Sequence, residues 1–81
     1  MRIDKFMNAV NIVKRRSVAQ DMLKSQVVYI NDQLAKPSKE VKIGDVITIK
    51  YLKGDRRYEV LQIPTVKNIP KARMGEYVKE L

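Results

Sequence analysis

Lys14-Arg15-Arg16-Ser17-Val18-Ala19-Gln20 combines a cluster of cations and a helix start within seven residues. The Ser17 hydroxyl is of the kind that accepts a free backbone N–H at a helix N-terminus. Gln20, three residues on, can reach back to complete a capping box. The stretch therefore predicts a helix after the Ser17 cap, with Val18, Ala19, Met22 and Leu23 on one side, fading near Ser25. The unpaired N–H groups of a first helical turn, and the positive end of its dipole, attract anions. Two guanidiniums and an ammonium beside that end suit a phosphate, because the planar arginine fork donates two parallel hydrogen bonds.

Upstream, Ile3, Phe6, Met7 and Val10 follow the three-and-four spacing of an apolar helix face. They predict a first helix from about Ile3 to Val10, ending near Asn11, a residue that tolerates left-handed backbone. Two short helices joined by a tight basic turn form a helical hairpin. Arg2 and Lys5 lie three apart on one surface beside the apolar stripe. If the turn folds back, the basic triplet joins them. Asp4 reads as a first-turn dipole partner that orients a neighbouring base.

Downstream, the period changes to that of strands. Val27-Val28-Tyr29-Ile30 is β-rich, Asn31-Asp32 signals a turn, and Gln33-Leu34-Ala35 can pair back. Lys36-Pro37-Ser38-Lys39 is a second basic element, extended or turning at its proline. After the Ile43-Gly44-Asp45 turn, Val46 to Leu52 is the clearest strand. Lys53-Gly54-Asp55 reads as a hairpin loop and Arg56 to Ile63 as a returning outer strand. Pro64 ends it. Residues 1–63 are expected to form the domain and 64–81 a C-terminal extension, with a short helix over Glu76 to Leu81 or a mobile tail.

Composition narrows the chemistry. Eighty-one residues make one small core, and seventeen basic against nine acidic residues give a net charge of +8. Such an excess points to polyanions, nucleic acid first. The chain has no cysteine and no histidine, which removes thiolate catalysis, zinc–thiolate sites and the commonest general base. The carboxylates are scattered and only three glycines are present, so neither a paired-carboxylate site nor a glycine-rich phosphate loop is formed. No catalysis, metal, cofactor or small-molecule substrate is expected. With no long apolar run at the N-terminus, a cytoplasmic protein without membrane attachment is expected. Phe6 belongs to the core, Tyr51, Tyr58 and Tyr77 are expected mostly to pack, and Tyr29 is open to a stacking role.

Arg2-Ile3-Asp4-Lys5-Phe6, Lys14-Arg15-Arg16-Ser17-x-Ala19, Val28-x-Ile30-Asn31, Lys36-Pro37-Ser38, Val41 and Gly44-Asp45-x-Ile47, in this order and spacing, resemble the S-four (S4) RNA-binding domain. The resemblance covers roughly residues 1–52 and implies an α+β fold, a two-helix hairpin packed on a small, bent, mostly antiparallel β-sheet. The added strand and tail are similar to the heat-shock-fifteen and RqcP group of ribosome-associated proteins. Members of that group bind large ribosomal subunits still carrying peptidyl-tRNA after stalling. Carried over by position, the RNA-facing residues are Arg2, Lys5, Lys14, Arg15, Arg16 and Ser17, with Lys36 and Ser38 as secondary contacts. Three positions depart from the family pattern: Gln26 and Asp32 where glycine is usual, and Val27 where a base often stands. Glutamine in left-handed backbone predicts a reshaped turn, and the lost base moves the RNA face onto the N-terminal helices.

The leading expectation is a non-catalytic, monomeric module that clamps structured RNA, rRNA or tRNA on the large ribosomal subunit, as in stalled-ribosome rescue or quality control. A DNA-binding helix-turn-helix protein is one alternative, although its second helix would offer a groove only Gln20, Asp21 and Lys24. An accessory RNA-binding module for another processing factor is a second. A peripheral membrane module lacks the wide exposed apolar face that an interfacial helix requires.

Overall fold

The computed structural model describes residues 1–81. Helix α1 spans Ile3–Ala9 and helix α2 Arg16–Lys24. Strands β1 (Val28–Ile30), β2 (Gln33–Leu34), β3 (Val46–Tyr51), β4 (Gly54–Val60) and β5 (Val78–Glu80) follow, with a short 3-10 helix, Lys71–Glu76, before the last. The strands form one antiparallel sheet in the order β2-β1-β3-β4-β5. The α+β architecture expected from the sequence is the one found.

Both helices end in the same way. The Asn11 amide donates to the Asn8 carbonyl and the Ile12 amide to Met7; the Gln26 and Val27 amides repeat the pattern on Leu23 and Met22. This is the Schellman arrangement, which needs a left-handed residue just past the helix. Asn11 (φ 67°) and Gln26 (φ 63°) supply it. Gln26 thus keeps the backbone that a glycine would adopt, and the reshaped turn expected there does not occur. Asn31 (φ 50°) and Asp32 (φ 66°) likewise form a two-residue turn with positive φ at both centres, the hairpin geometry that matches strand twist.

The core lies between the helices and one face of the sheet. Ile3, Phe6, Met7, Val10, Ala19 and Leu23 meet Val28, Ile30, Ile47, Ile49, Tyr58 and Val60 there. Alternation along β3 assigns Ile47 and Ile49 to this face and Thr48 and Lys50 to the other. Residues beyond Pro64 share the same core through Ile69 and Val78. The Ile69 amide donates to the Ala9 carbonyl at 3.0 Å and Asn11 Nδ2 to the Ile69 carbonyl at 3.0 Å, which ties this segment to the end of α1.

Several local expectations are corrected. Arg15, not Ser17, occupies the N-cap of α2, and no side chain caps the helix. Gln20 is engaged elsewhere, so the capping box does not form. The turn before α2 is a six-residue return rather than a tight corner: Ile12 and Val13 amides reach back to the Met7 carbonyl, and Asn8 Nδ2 holds the carbonyls of Val13 and Lys14. The β3–β4 turn is centred on Leu52-Lys53, and Gly54, at φ 134°, already pairs with Tyr51. Strand β4 is not an outer strand, because β5 pairs with its second half. The last residues form that strand instead of a helix, since Val78 finds a buried place beside Val60. Tyr51 is 41% exposed rather than packed.

Candidate nucleic-acid interface

Asp4, the second residue of α1, is fully buried. Its Oδ2 accepts from Arg2 Nη2 at 3.1 Å, Gln20 Nε2 at 3.1 Å and Arg16 Nη2 at 3.4 Å. Its Oδ1 accepts the Lys5 amide at 2.8 Å. Burial alone would push this carboxyl up, but the Gln20 and Lys5 hydrogen bonds, with Arg16 and Arg2 nearby, hold it below its ordinary value of 3.8. The group is therefore a carboxylate at neutral pH. It gathers two arginines, one just before α1 and one at the start of α2, onto one oxygen.

Neither guanidinium is used up by this. The side chains of Arg2 and Arg16 stay 46% and 43% exposed, each with one N–H engaged at Asp4. A guanidinium has five donors, so most of each fork remains free for an external acceptor. The six-residue return makes this possible. By running back along α1 it starts α2 beside Asp4 rather than at the far end of the first helix.

The Lys36–Lys39 turn is stitched to the same end of the molecule. The Ile3 amide donates to the Lys39 carbonyl at 2.7 Å and the Val41 amide to the Met1 carbonyl at 2.9 Å. The N-terminal ammonium meets Glu40 Oε2 at 2.8 Å, and Arg2 and Glu40 form an isolated backbone bridge. Lys36 and Ser38 are exposed and line a shallow depression with Gln33, Leu34 and Lys39. Lys5, Lys14 and Arg15 are exposed and have no carboxylate partner. Ser17 is exposed in the first turn of α2, where its own amide and that of Arg16 have no intrahelical acceptor.

Of the other basic residues, Arg73 is held by both oxygens of Glu76, at 3.1 and 3.0 Å. Its segment docks at the C-terminal end of α1, away from Arg2. Asp4 as a shared anchor and Gln20 as its third donor were not assigned from sequence. The available signal was that Arg16 and Gln20 lie one turn apart on α2, while Asp4 borders the buried stripe of α1 three residues before Met7.

The S4 domain family model matches residues 1–47. The chain belongs to the S4 domain family. Among its relatives is the RQC P-site tRNA stabilizing factor of Helicobacter pylori, 54% identical over 78 residues that cover 96% of this chain and 93% of the relative. The protein of the same name from Bacillus subtilis is 31% identical over 84 residues, covering 99% and 94%. The trimeric structure of Vibrio cholerae Heat Shock Protein 15 superimposes with a TM-score of 0.89 at 30% identity, over 100% of this chain and 81% of that one. No helix of this S4 domain protein is long and apolar enough to cross a membrane.

Proposed function

We propose that this S4 domain protein is a non-catalytic, cytoplasmic RNA-binding factor that acts on large ribosomal subunits in stalled-ribosome quality control, gripping rRNA and tRNA. The similarity to factors named for stabilizing P-site tRNA supports this reading. The observation that carries the mechanism is the convergence of Arg2 and Arg16 on buried Asp4. Two forks fixed at one spacing accept phosphates without first losing side-chain freedom, so positioning dominates over base reading. Lys5, Lys14, Arg15 and Ser17 widen the grip, with Lys36 and Ser38 as secondary contacts. These residues all lie on one copy, which supports binding as a monomer.

The test is sucrose-gradient sedimentation of lysate with and without induced stalling. The protein is expected on the large subunit after stalling, and an Arg2→Ala/Arg16→Ala variant is expected to leave it. Each single substitution is expected to weaken RNA binding by about 1–3 kcal/mol, the range for a charge-assisted contact. Unchanged subunit association of the double variant would remove the helix ends as the RNA face.

A further inference from the structure

One face of the sheet carries the core and both helices; the opposite face carries neither. Across that open face the register aligns Leu34, Tyr29, Thr48 and Arg57 on four strands, with Lys50 opposite Asp55 one pleat along. Tyr29, Thr48, Lys50 and Arg57 line a depression of about 450 Å³, joined by Asp32 from the β1–β2 turn and Asp55 from the β3–β4 hairpin. Small-ligand sites span about 300–1,000 Å³.

Two groups in this depression lack good partners. Thr48 is 7% exposed, and its Oγ1 is buried with no hydrogen-bond partner. A buried hydroxyl in that state is costly until it pairs. Lys50 holds its ammonium 4.8 Å from the centroid of the Tyr29 ring and forms no ion pair.

The charges also differ from those at the helix ends. Lys50 and Arg57 are balanced by Asp32 and Asp55, whereas a track for phosphates alone would be lined by cations. A balanced depression with an aromatic ring, two cations and two carboxylates fits a ligand that has a flat ring, N–H donors and an anion together. Those are the parts of a nucleotide.

We propose that the open sheet face is a second RNA contact that accepts one unpaired nucleotide. The base stacks on Tyr29 in place of the Lys50 ammonium, and the phosphate lies between Lys50 and Arg57. The carboxylate of Asp32 or Asp55 accepts from an exocyclic amine. The exchange is downhill because base–aromatic stacking outweighs an exposed cation–π contact. The inference rests on the RNA-binding reading above but uses none of its residues.

The test titrates the isotope-labelled full chain with pentaadenylate RNA and, separately, with inorganic phosphate, following amide resonances. Pentaadenylate is expected to move Tyr29, Thr48 and Arg57, and phosphate to leave them in place. Tyr29→Leu, folded by its own spectrum, is expected to weaken this response about tenfold. The Arg2→Ala/Arg16→Ala variant is expected to retain it. The proposal is overturned if pentaadenylate moves only the helix ends, if phosphate alone reproduces the shifts, or if Tyr29→Leu binds as the parent does. Subunit association reads the helix ends and pentaadenylate reads the sheet, so the two readings fail separately. A chain that sediments with large subunits but shows no sheet response loses only the second contact.

Discussion

Asp4 is the residue on which the basic site turns. A buried carboxylate is tolerated here because four donors satisfy it. Asp4→Asn keeps the shape but removes the charge that faces Arg2 and Arg16. A loss of about 1–3 kcal/mol in unfolding free energy is expected, below the range for a fully buried ion pair because both arginines are half exposed. Folding lowers the Asp4 pKa, so its ionisation contributes stability above the ordinary value of 3.8, and that contribution is lost as pH falls through the lower folded value. The stability difference between parent and Asp4→Asn should therefore shrink below pH 3.8, as measured by denaturant unfolding across pH. Ser17 presents the opposite case. Its side chain caps nothing, so Ser17→Ala should change thermal stability by no more than about 0.5 kcal/mol, instead of the ~1 kcal/mol of a lost cap.

At the scale of elements, the two helix ends share one hydrogen-bond pattern with different residues at the left-handed position, Asn11 and Gln26. Asparagine enters that region at modest cost, whereas glutamine has no local hydrogen bond to compensate its Cβ. Gln26→Gly is expected to stabilise the chain by about 0.5–1 kcal/mol in chemical denaturation, and an unchanged midpoint would contradict that account. The final strand illustrates how context overrides local pattern. Tyr77-Val78-Lys79-Glu80 carries no turn or alternation strong enough to mark a strand. It becomes one because β4 offers an unpaired edge, to which Val78 pairs opposite Val60.

For the whole molecule, charge and shape work together. Of the basic residues behind the +8 excess, Arg2 and Arg16 are brought onto one carboxylate by the α1–α2 return, and residues 39–41 are stitched to Met1 and Ile3 beside them. With about five phosphates contacted, the logarithm of RNA affinity should fall with the logarithm of salt at a slope of roughly −4. A slope near zero would mean that the basic end does not meet the phosphates.

The sequence alone was enough for the two helices and the succession of the first four strands, because apolar periodicity and turn residues act over a few neighbours. Ile3, Phe6, Met7 and Val10 could only be a buried helical face, and Asn31-Asp32 could only turn. The tertiary structure decided what lies between elements. It chose Arg15 over Ser17 at the start of α2, drew Gln20 away to Asp4, and paired β5 with β4. Gln20 and the last strand find partners distant in sequence, Asp4 and β4, which no local pattern announces. The pairing of Arg2 with Arg16 belongs to this second kind. Fourteen positions separate them, and only the packing of α1 against α2 brings both onto one carboxylate.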